Sequence, residues 1–351
     1  MLIFLSLSII PIFIGIQLNR ENSSQYYLSK KTTSSILGLF ALIILGSHIS
    51  YKIGAQGFLN SSSDFIYHSL ISQMMVVPFF FYSGYGINEQ FKNREEYSKG
   101  FIKNRFLRVY LTFIFTLLIG NFLFLVTSGF SNSIFNWMDL FAWKNFWFVF
   151  VILLEYILTF FGLIAFKKNK KILPLYSAII TSLIIVALFF LEKDIFWMNT
   201  LIAFPFGIFY SSFVQQINSF LERRKINCYL ILIISFAGFL SLSILNGFIS
   251  LPIVLKILID NAKSCFFILL ILMATYIFKI GNQTLKFVGS LALILYVVQF
   301  FILEIFERNL MILNVNCYLY IFVSSIISVI ISIVIKYFLN WLFESHIKAT
   351  K

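Results

Sequence analysis

His48 lies near the end of an apolar run, in the segment LFALIILGSHIS. Counted as helix from Thr32, it stands roughly 24 Å along the run, near one membrane interface. An imidazole there titrates near neutrality and can accept a proton from a hydroxyl group. The alternative is an interfacial histidine that bonds to a neighbouring carbonyl. The residue type and depth therefore allow a general base without requiring one.

Arg105 and Arg108 stand three residues apart, just before another apolar run. Residues at i and i+3 share a face of an α-helix. The forked donors of two guanidinium groups match the oxygens of a pyrophosphate or a 3′-phosphate. The alternative is ordinary anchoring against anionic lipid, since the preceding stretch is basic throughout. Its basic residues are Lys92, Arg94, Lys99, Lys103, Arg105 and Arg108.

The apolar run before this basic stretch ends in Ser83, Gly84 and Tyr85. Glycine allows helices or a ligand to approach closely, and the two hydroxyls can donate hydrogen bonds. No G-x-S-x-G motif surrounds Ser83, so a nucleophilic serine is not indicated. We expect the three residues to pack helices or to shape a ligand site.

Glu155 is a carboxylate inside the apolar segment FWFVFVILLEYIL, which also contains Trp147 and Tyr156. Such a group is costly in lipid and usually faces the interior of a helix bundle with a partner. It either orients His48 or lines a substrate path, or it serves as a structural partner of an Arg or Tyr. Asp64 and His68 are weaker candidates for the acceptor entrance.

These residues must be positioned by membrane helices. The chain is 60% hydrophobic and 12% charged, about half the charge of a soluble domain. Apolar runs of about 20 residues, enough to cross a bilayer, recur throughout. A transmembrane barrel needs alternating residues, and runs such as ILILIISFAGFLSLSIL do not alternate. The sequence predicts an all-α, polytopic helical bundle.

The net charge of +13 is better explained by cytoplasmic loops facing anionic lipid than by nucleic-acid binding. The cysteines show neither metal-ligand nor disulfide spacing, and no bound metal or cofactor is expected. They lie in or beside apolar runs and are expected to be passive: Cys228, Cys265 and Cys317.

Eleven apolar segments are predicted to span the membrane as one integral domain. They lie near 2–18, 32–50, 66–87, 109–128, 146–166, 172–191, 196–214, 228–247, 262–278, 287–306 and 318–341. The stretch 250–261 is too short and too charged, and is expected to be interfacial or re-entrant. With strict alternation, 21 of the 27 basic residues fall on the side of the 88–108 loop. This side is then cytoplasmic, with the N-terminus outside and the C-terminus inside.

The stretch MMVVPFFFYSGYGINEQFKNREEYSKGFIKNRFLRVY, together with His48, resembles the membrane acyltransferase-3 family. These multi-spanning O-acyltransferases decorate cell-surface glycans. The resemblance implies that His48 is catalytic and that Arg105 and Arg108 are tied to an acyl-CoA donor. It also implies ten spans, so residues 1–31 would hold an additional helix and a basic loop, residues 32–343 the family domain, and residues 344–351 a cytoplasmic tail.

Two departures from the family pattern stand out. Leu37 occupies the place of an arginine that often precedes the histidine, and Gln299 replaces a second histidine near the end. Gly289 and Tyr296 of that later motif are retained. Glutamine can donate and accept a hydrogen bond but cannot titrate. Tyr296 and Gln299, with Trp147 and Tyr156, are expected to line the acceptor path.

The expected function is an integral-membrane O-acetyltransferase of the bacterial cell membrane. It would move an acetyl group from cytoplasmic acetyl-CoA to a hydroxyl of a capsular or other surface polysaccharide, or of its lipid-linked precursor. Glu155 would act with His48, and the Ser83–Tyr85 segment would help to bind the donor. A transporter or flippase of lipid-linked glycan and a non-catalytic assembly partner remain as alternatives.

Overall fold

The computed structural model describes residues 17–18, 26–55, 72–94, 96–128, 136–143, 145–313 and 317–349. Helices dominate, and a two-residue antiparallel pair joins β1 (Gln17–Leu18) to β2 (Phe278–Lys279). The helices are α1 (Lys30–Ala55), α2 (Val77–Asn93), α3 (Tyr97–Phe101), α4 (Arg108–Ser128), α5 (Trp147–Ala165), α6 (Leu173–Phe190), α7 (Ala203–Ser212), α8 (Val214–Arg223), α9 (Lys225–Phe248), α10 (Ile253–Ile277), α11 (Gln283–Gly289), α12 (Ala292–Leu313) and α13 (Cys317–Ala349).

Seven helices in the described part of the chain are long and apolar enough to cross a membrane. The bent pair of α11 and α12, with an angle of 69°, provides an eighth crossing if counted as one span. The predicted all-α polytopic class is confirmed. Most of the predicted first span lies outside the described residues.

The predicted span 196–214 is not one helix. A short 3₁₀ turn (Ile195–Trp197) precedes α7, which has only ten residues and rises about 15 Å. Segment 66–87 likewise contributes the 17-residue α2 after a 3₁₀ turn at Ser72–Val76. Apolar composition alone did not reveal these interruptions.

The expectation for 250–261 is also wrong in part, because residues from Ile253 onward form the first turns of the 25-residue α10. Lys263 and Asp260 form an ion pair of 2.8 Å, and each is about 5% exposed. Pairing within the helix lets a long span contain both charges.

The predicted loop 88–108 is largely helical. Helix α2 continues to Asn93, and a helical run extends from Tyr97 to Ser128 through a π-helical segment, Ile102–Leu107. Arg105 and Arg108 therefore lie on this run rather than in a loop. A π-helical segment has i→i+5 hydrogen bonds, so it changes the angular offset between residues three apart.

Small residues allow the central helices to approach closely. A Cβ atom added at Gly84 of α2 would collide with the carbonyl oxygen of Phe204 in α7, and one at Gly207 with that of Phe81. This fits the predicted packing role of Gly84. The apolar perimeter, by contrast, is exposed on α9 and α13, where side chains face outward as expected for lipid contact. Examples are Ile233, Ile234, Phe236, Phe322, Ile330 and Val334.

Candidate active site

His48 is exposed to a cavity of about 440 Å³, called here the His48 cavity. Its imidazole meets the ring of Tyr296 edge-on, with ring centroids 6.4 Å apart. Trp147 also lines this cavity, so three residues singled out in the sequence come together. The complete lining is Ile44, Ser47, His48, Tyr51, Lys52, Gln73, Val76, Trp147, Tyr296, Phe300 and Leu303.

Local structure positions the first residue of α5, Trp147, at this cavity. The preceding turn is held by Asp139, whose carboxylate accepts hydrogen bonds from the backbone N–H of Asn136 and of Asn145, both at 3.2 Å. Asp139 is 2% exposed. These bonds fix where α5 begins and therefore where the indole lies.

A charge network adjoins the His48 cavity. Lys52 lies one turn after His48 and contacts Glu304 at 2.9 Å, with Glu307 as a second partner. Arg308 reaches Glu304 at 3.2 Å. The sequence did not single out Glu304 and Glu307 as site residues. Their i, i+3 spacing near the end of an apolar run would have indicated that they share a helix face.

Gln73 is a second residue of the His48 cavity that was missed. Its carboxamide oxygen is buried and has no hydrogen-bond partner among the residues the structure describes. The residues around Gln73 show no sequence pattern that would have singled it out, because it lies in a short 3₁₀ turn rather than on one face of an α-helix.

The predicted donor residues partly converge elsewhere. Ser83 Oγ and Tyr156 Oη are 3.0 Å apart, and the Arg105 guanidinium lies near the phenols of Tyr97 and Tyr156. Gly86 leaves room for this arginine, whose Nη2 lies 3.1 Å from where a Cβ would be. Ser83, Tyr97, Arg105 and Tyr156 are called the Arg105 cluster. Tyr156 thus lies with the donor candidates, whereas the sequence interpretation assigned it to the acceptor path.

Arg108 does not join this cluster in the structure. It is exposed, whereas Arg105 is partly buried. Their expected common face is not realised, because the π-helical segment that contains Arg105 alters the rotation between the two residues. The predicted two-arginine clamp is thus reduced to one inward-pointing guanidinium.

Tyr85 packs on α2 near the Arg105 cluster rather than within it. Its ring is stacked on that of Phe81, with centroids 6.3 Å apart. Its phenol lies near Glu89 and Tyr210. Tyr85 therefore contributes to the interface between α2 and α7.

Glu155 is placed against α6 rather than in the His48 cavity. Thr181 donates a hydrogen bond of 2.6 Å to Glu155 Oε1, and the carboxylate is fully buried. The expectation that Glu155 assists His48 is not supported, since its side chain is directed between α5 and α6. The alternative of a structural partner fits the geometry, with a threonine in place of an Arg or Tyr.

Gln299 lines a second, smaller cavity of about 70 Å³, called here the narrow cavity. It shares Ile44, Val76 and Tyr296 with the His48 cavity. Its lining is otherwise apolar and aromatic and includes Ala41, Phe79, Phe148, Ala292 and Leu293. Of the residues expected on the acceptor path, Gln299 is therefore adjacent to the His48 cavity rather than inside it.

The His48 cavity and the Arg105 cluster are connected by two helices. Val76 lines the cavity and Ser83 lies seven residues further, about 10 Å along the chain. On α5, Trp147 lines the cavity and Tyr156 lies nine residues further, about 14 Å along the helix. The two regions are thus closer than the opposite membrane faces that the sequence suggested.

Other candidates are not located by the structure. Asp64 and His68 lie outside the described residues, as does the side chain of His346. Within the described ranges, no group of three or more His, Cys, Asp or Glu side chains could hold a metal ion. Cys228 is buried with its sulfur 3.5 Å from that of Met273, as expected of a packing residue.

Comparison with known proteins gives one positive result. No curated protein and no solved structure matches the chain significantly. The acyltransferase-domain model of the acyltransferase-3 family matches residues 38–337, a range that contains His48, Gln299 and the Arg105 cluster. The chain therefore belongs to the acyltransferase-3 family and is a multi-pass membrane acyltransferase.

Proposed function

We propose that the protein transfers an acetyl group from cytoplasmic acetyl-CoA to a hydroxyl of a cell-surface polysaccharide or its lipid-linked precursor. The observation that carries this proposal is the arrangement along α2 and α5. A histidine faces a 440 Å³ cavity. Ser83 and Tyr156, which lie in the Arg105 cluster, follow the lining of that cavity by about 10 Å along α2 and about 14 Å along α5.

The Arg105 cluster supplies the donor end of this arrangement. A guanidinium presents several N–H donors in a planar fork, which suits a phosphate of CoA. The phenols of Tyr97 and Tyr156 lie beside this guanidinium. In the proposed orientation, this end of the bundle faces the cytoplasm of a bacterial cell, where acetyl-CoA is made.

The His48 cavity supplies the acceptor end. Its volume falls within the usual range for small-molecule sites, about 300–1,000 Å³. Trp147 and the exposed ring of Tyr51 offer aromatic faces to a sugar ring. The carboxylates of Glu304 and Glu307 lie beside them and can accept hydrogen bonds from sugar hydroxyls.

The proposed reaction uses His48 as the general base. The oxygen of a sugar hydroxyl attacks the carbonyl carbon of the thioester, and its proton passes to the imidazole of His48. The bond between carbon and sulfur then breaks. The CoA sulfur leaves as a thiolate and receives that proton from His48, so the histidine returns to its neutral form. The products are an O-acetyl sugar and CoA.

Transport of a lipid-linked glycan is the second candidate. The 69° bend between α11 and α12 favours it, because interrupted helices commonly border transport sites. Family membership favours acyl transfer. Formation of labelled glycan ester in membranes supplied with labelled acetyl-CoA would distinguish the two functions, because transport alone forms no ester.

The test of the proposal compares membranes containing the wild-type protein with membranes containing His48→Ala. Transfer of label from acetyl-CoA to glycan should fall by about 10²–10⁴-fold, the usual contribution of a general base. His346→Ala should leave transfer unchanged, and immunoblots should show equal amounts of inserted protein. Retention of more than about a tenth of wild-type transfer by His48→Ala would refute the general-base role.

A further inference from the structure

The side chain of Gln299 is buried in the narrow cavity with both of its polar atoms unpartnered. Gln299 is 1% exposed, and neither Oε1 nor Nε2 has a hydrogen-bond partner among the described residues. A buried amide without partners costs free energy, so this side chain is suited to a ligand that supplies both a donor and an acceptor.

The rest of the narrow cavity offers that ligand almost no competing polar group. Tyr296 also lines it and contributes a phenol. The other lining residues are hydrocarbon or aromatic. A stably held water needs two to four polar partners, so water alone is a poor match for this site.

The size and place of the narrow cavity limit what could fill it. Its volume is about 70 Å³, against 440 Å³ for the His48 cavity, which suits a thin chain rather than a sugar ring. It adjoins the His48 cavity at Ile44, Val76 and Tyr296. On α2 its wall includes Phe79, and Ser83 of the Arg105 cluster lies one turn further.

We infer that Gln299 binds the pantetheine arm of the acyl-CoA donor. The arm is a thin hydrocarbon chain interrupted by secondary amides, so it carries both N–H donors and carbonyl acceptors. Gln299 Oε1 accepts a hydrogen bond from an amide N–H of the arm, and Nε2 donates one to a carbonyl of the arm. This inference rests on the proposed function, because it requires an acyl-CoA donor that extends from the Arg105 cluster to His48.

Binding measurements on the purified full-length protein in detergent distinguish contacts with the pantetheine arm from contacts with the nucleotide. The probes are CoA, which has the arm, and adenosine 3′,5′-bisphosphate, which has none. Gln299→Met preserves length without the amide and should raise the Kd for CoA roughly tenfold, as expected for loss of two neutral hydrogen bonds. The Kd for the bisphosphate should be unchanged. Gln299→Leu is a second apolar variant and should behave in the same way.

The other outcomes each overturn the inference. Unchanged affinity for CoA in both variants would show that the arm does not use Gln299. Equal weakening of both ligands would indicate general damage instead. A rise confined to the KM for glycan in the transfer assay would assign Gln299 to the acceptor. If wild-type protein transfers acetyl groups, the proposed function stands whatever the variants show; if it binds neither probe, the donor assignment itself fails.

Discussion

Arg105 and Arg108 differ in their environments although they are only three residues apart. Arg105 is partly buried and interacts with Tyr97 and Tyr156, whereas Arg108 is exposed on the same helical run. A guanidinium that is already oriented loses less conformational entropy when it binds an anion. We therefore propose Arg105, rather than Arg108, as the principal donor anchor.

Replacing Arg105 with Lys should raise the KM for acetyl-CoA tenfold or more. Lysine keeps the charge but lacks the fork, and loss of a charge-assisted hydrogen bond costs roughly 1.5–3 kcal/mol. Arg108→Lys is the matched control and should change this KM by less than about twofold. Steady-state kinetics in membranes with varied acetyl-CoA measure both constants. Equal increases of this KM in the two variants would show instead that both arginines bind the donor.

At the scale of elements, the contact between α2 and α7 positions the proposed donor residues. Ser83 lies on α2 directly before Gly84, whose missing side chain lets the backbone of α7 approach. Helices that pack through small residues approach closely enough to exclude lipid. The position of Ser83 against Tyr156 therefore depends on the missing side chain of the neighbouring Gly84.

Gly84→Ala should destabilise the protein by about 1–3 kcal/mol, the usual cost of overpacking. Its added methyl group would collide with a backbone carbonyl of Phe204, which cannot move aside as a flexible side chain could. Thermal unfolding in detergent, followed by circular dichroism, measures the loss.

Gly247→Ala serves as the control for this substitution. Gly247 is exposed near the end of α9, where alanine is the better helix former. It should be neutral or slightly stabilising. Wild-type thermal stability in Gly84→Ala would show that α2 and α7 are packed less closely than described here.

At the scale of the whole molecule, the ends of the helices carry unequal charge. Lys167, Lys168, Lys170 and Lys171 lie before α6, while Glu192, Lys193 and Asp194 follow it. Basic residues accumulate on the cytoplasmic side of membrane proteins. The segment before α6 is therefore proposed to be cytoplasmic, with His48 toward the opposite face.

Cysteine substitutions at the two exposed ends of α6 test this orientation. Glu192→Cys should react with a membrane-impermeant thiol reagent in intact cells, whereas Lys168→Cys should react only after permeabilisation. The protein without the added cysteine is labelled in parallel, and its signal gives the background from the native cysteines. The reverse pattern would invert the topology, and equal labelling would show that α6 does not cross the membrane.

The sequence by itself determined the helical membrane class and the residues most worth testing. Runs of about 20 apolar residues span a bilayer whatever surrounds them, and backbone groups in lipid must be satisfied within each helix. These are local requirements, so they can be read from consecutive residues. The motif around Arg105 and the histidine at position 48 were recognisable for the same reason.

Only the tertiary structure decided which residues share a site. It placed Tyr156 beside Ser83, Glu155 beside Thr181, and Lys52 between two glutamates of α12. Each contact joins two different helices and depends on their relative depth and rotation, which the period of a single helix does not specify. The narrow cavity around Gln299 exists for the same reason, since its walls come from α1, α2, α5, α12 and the segments joining them.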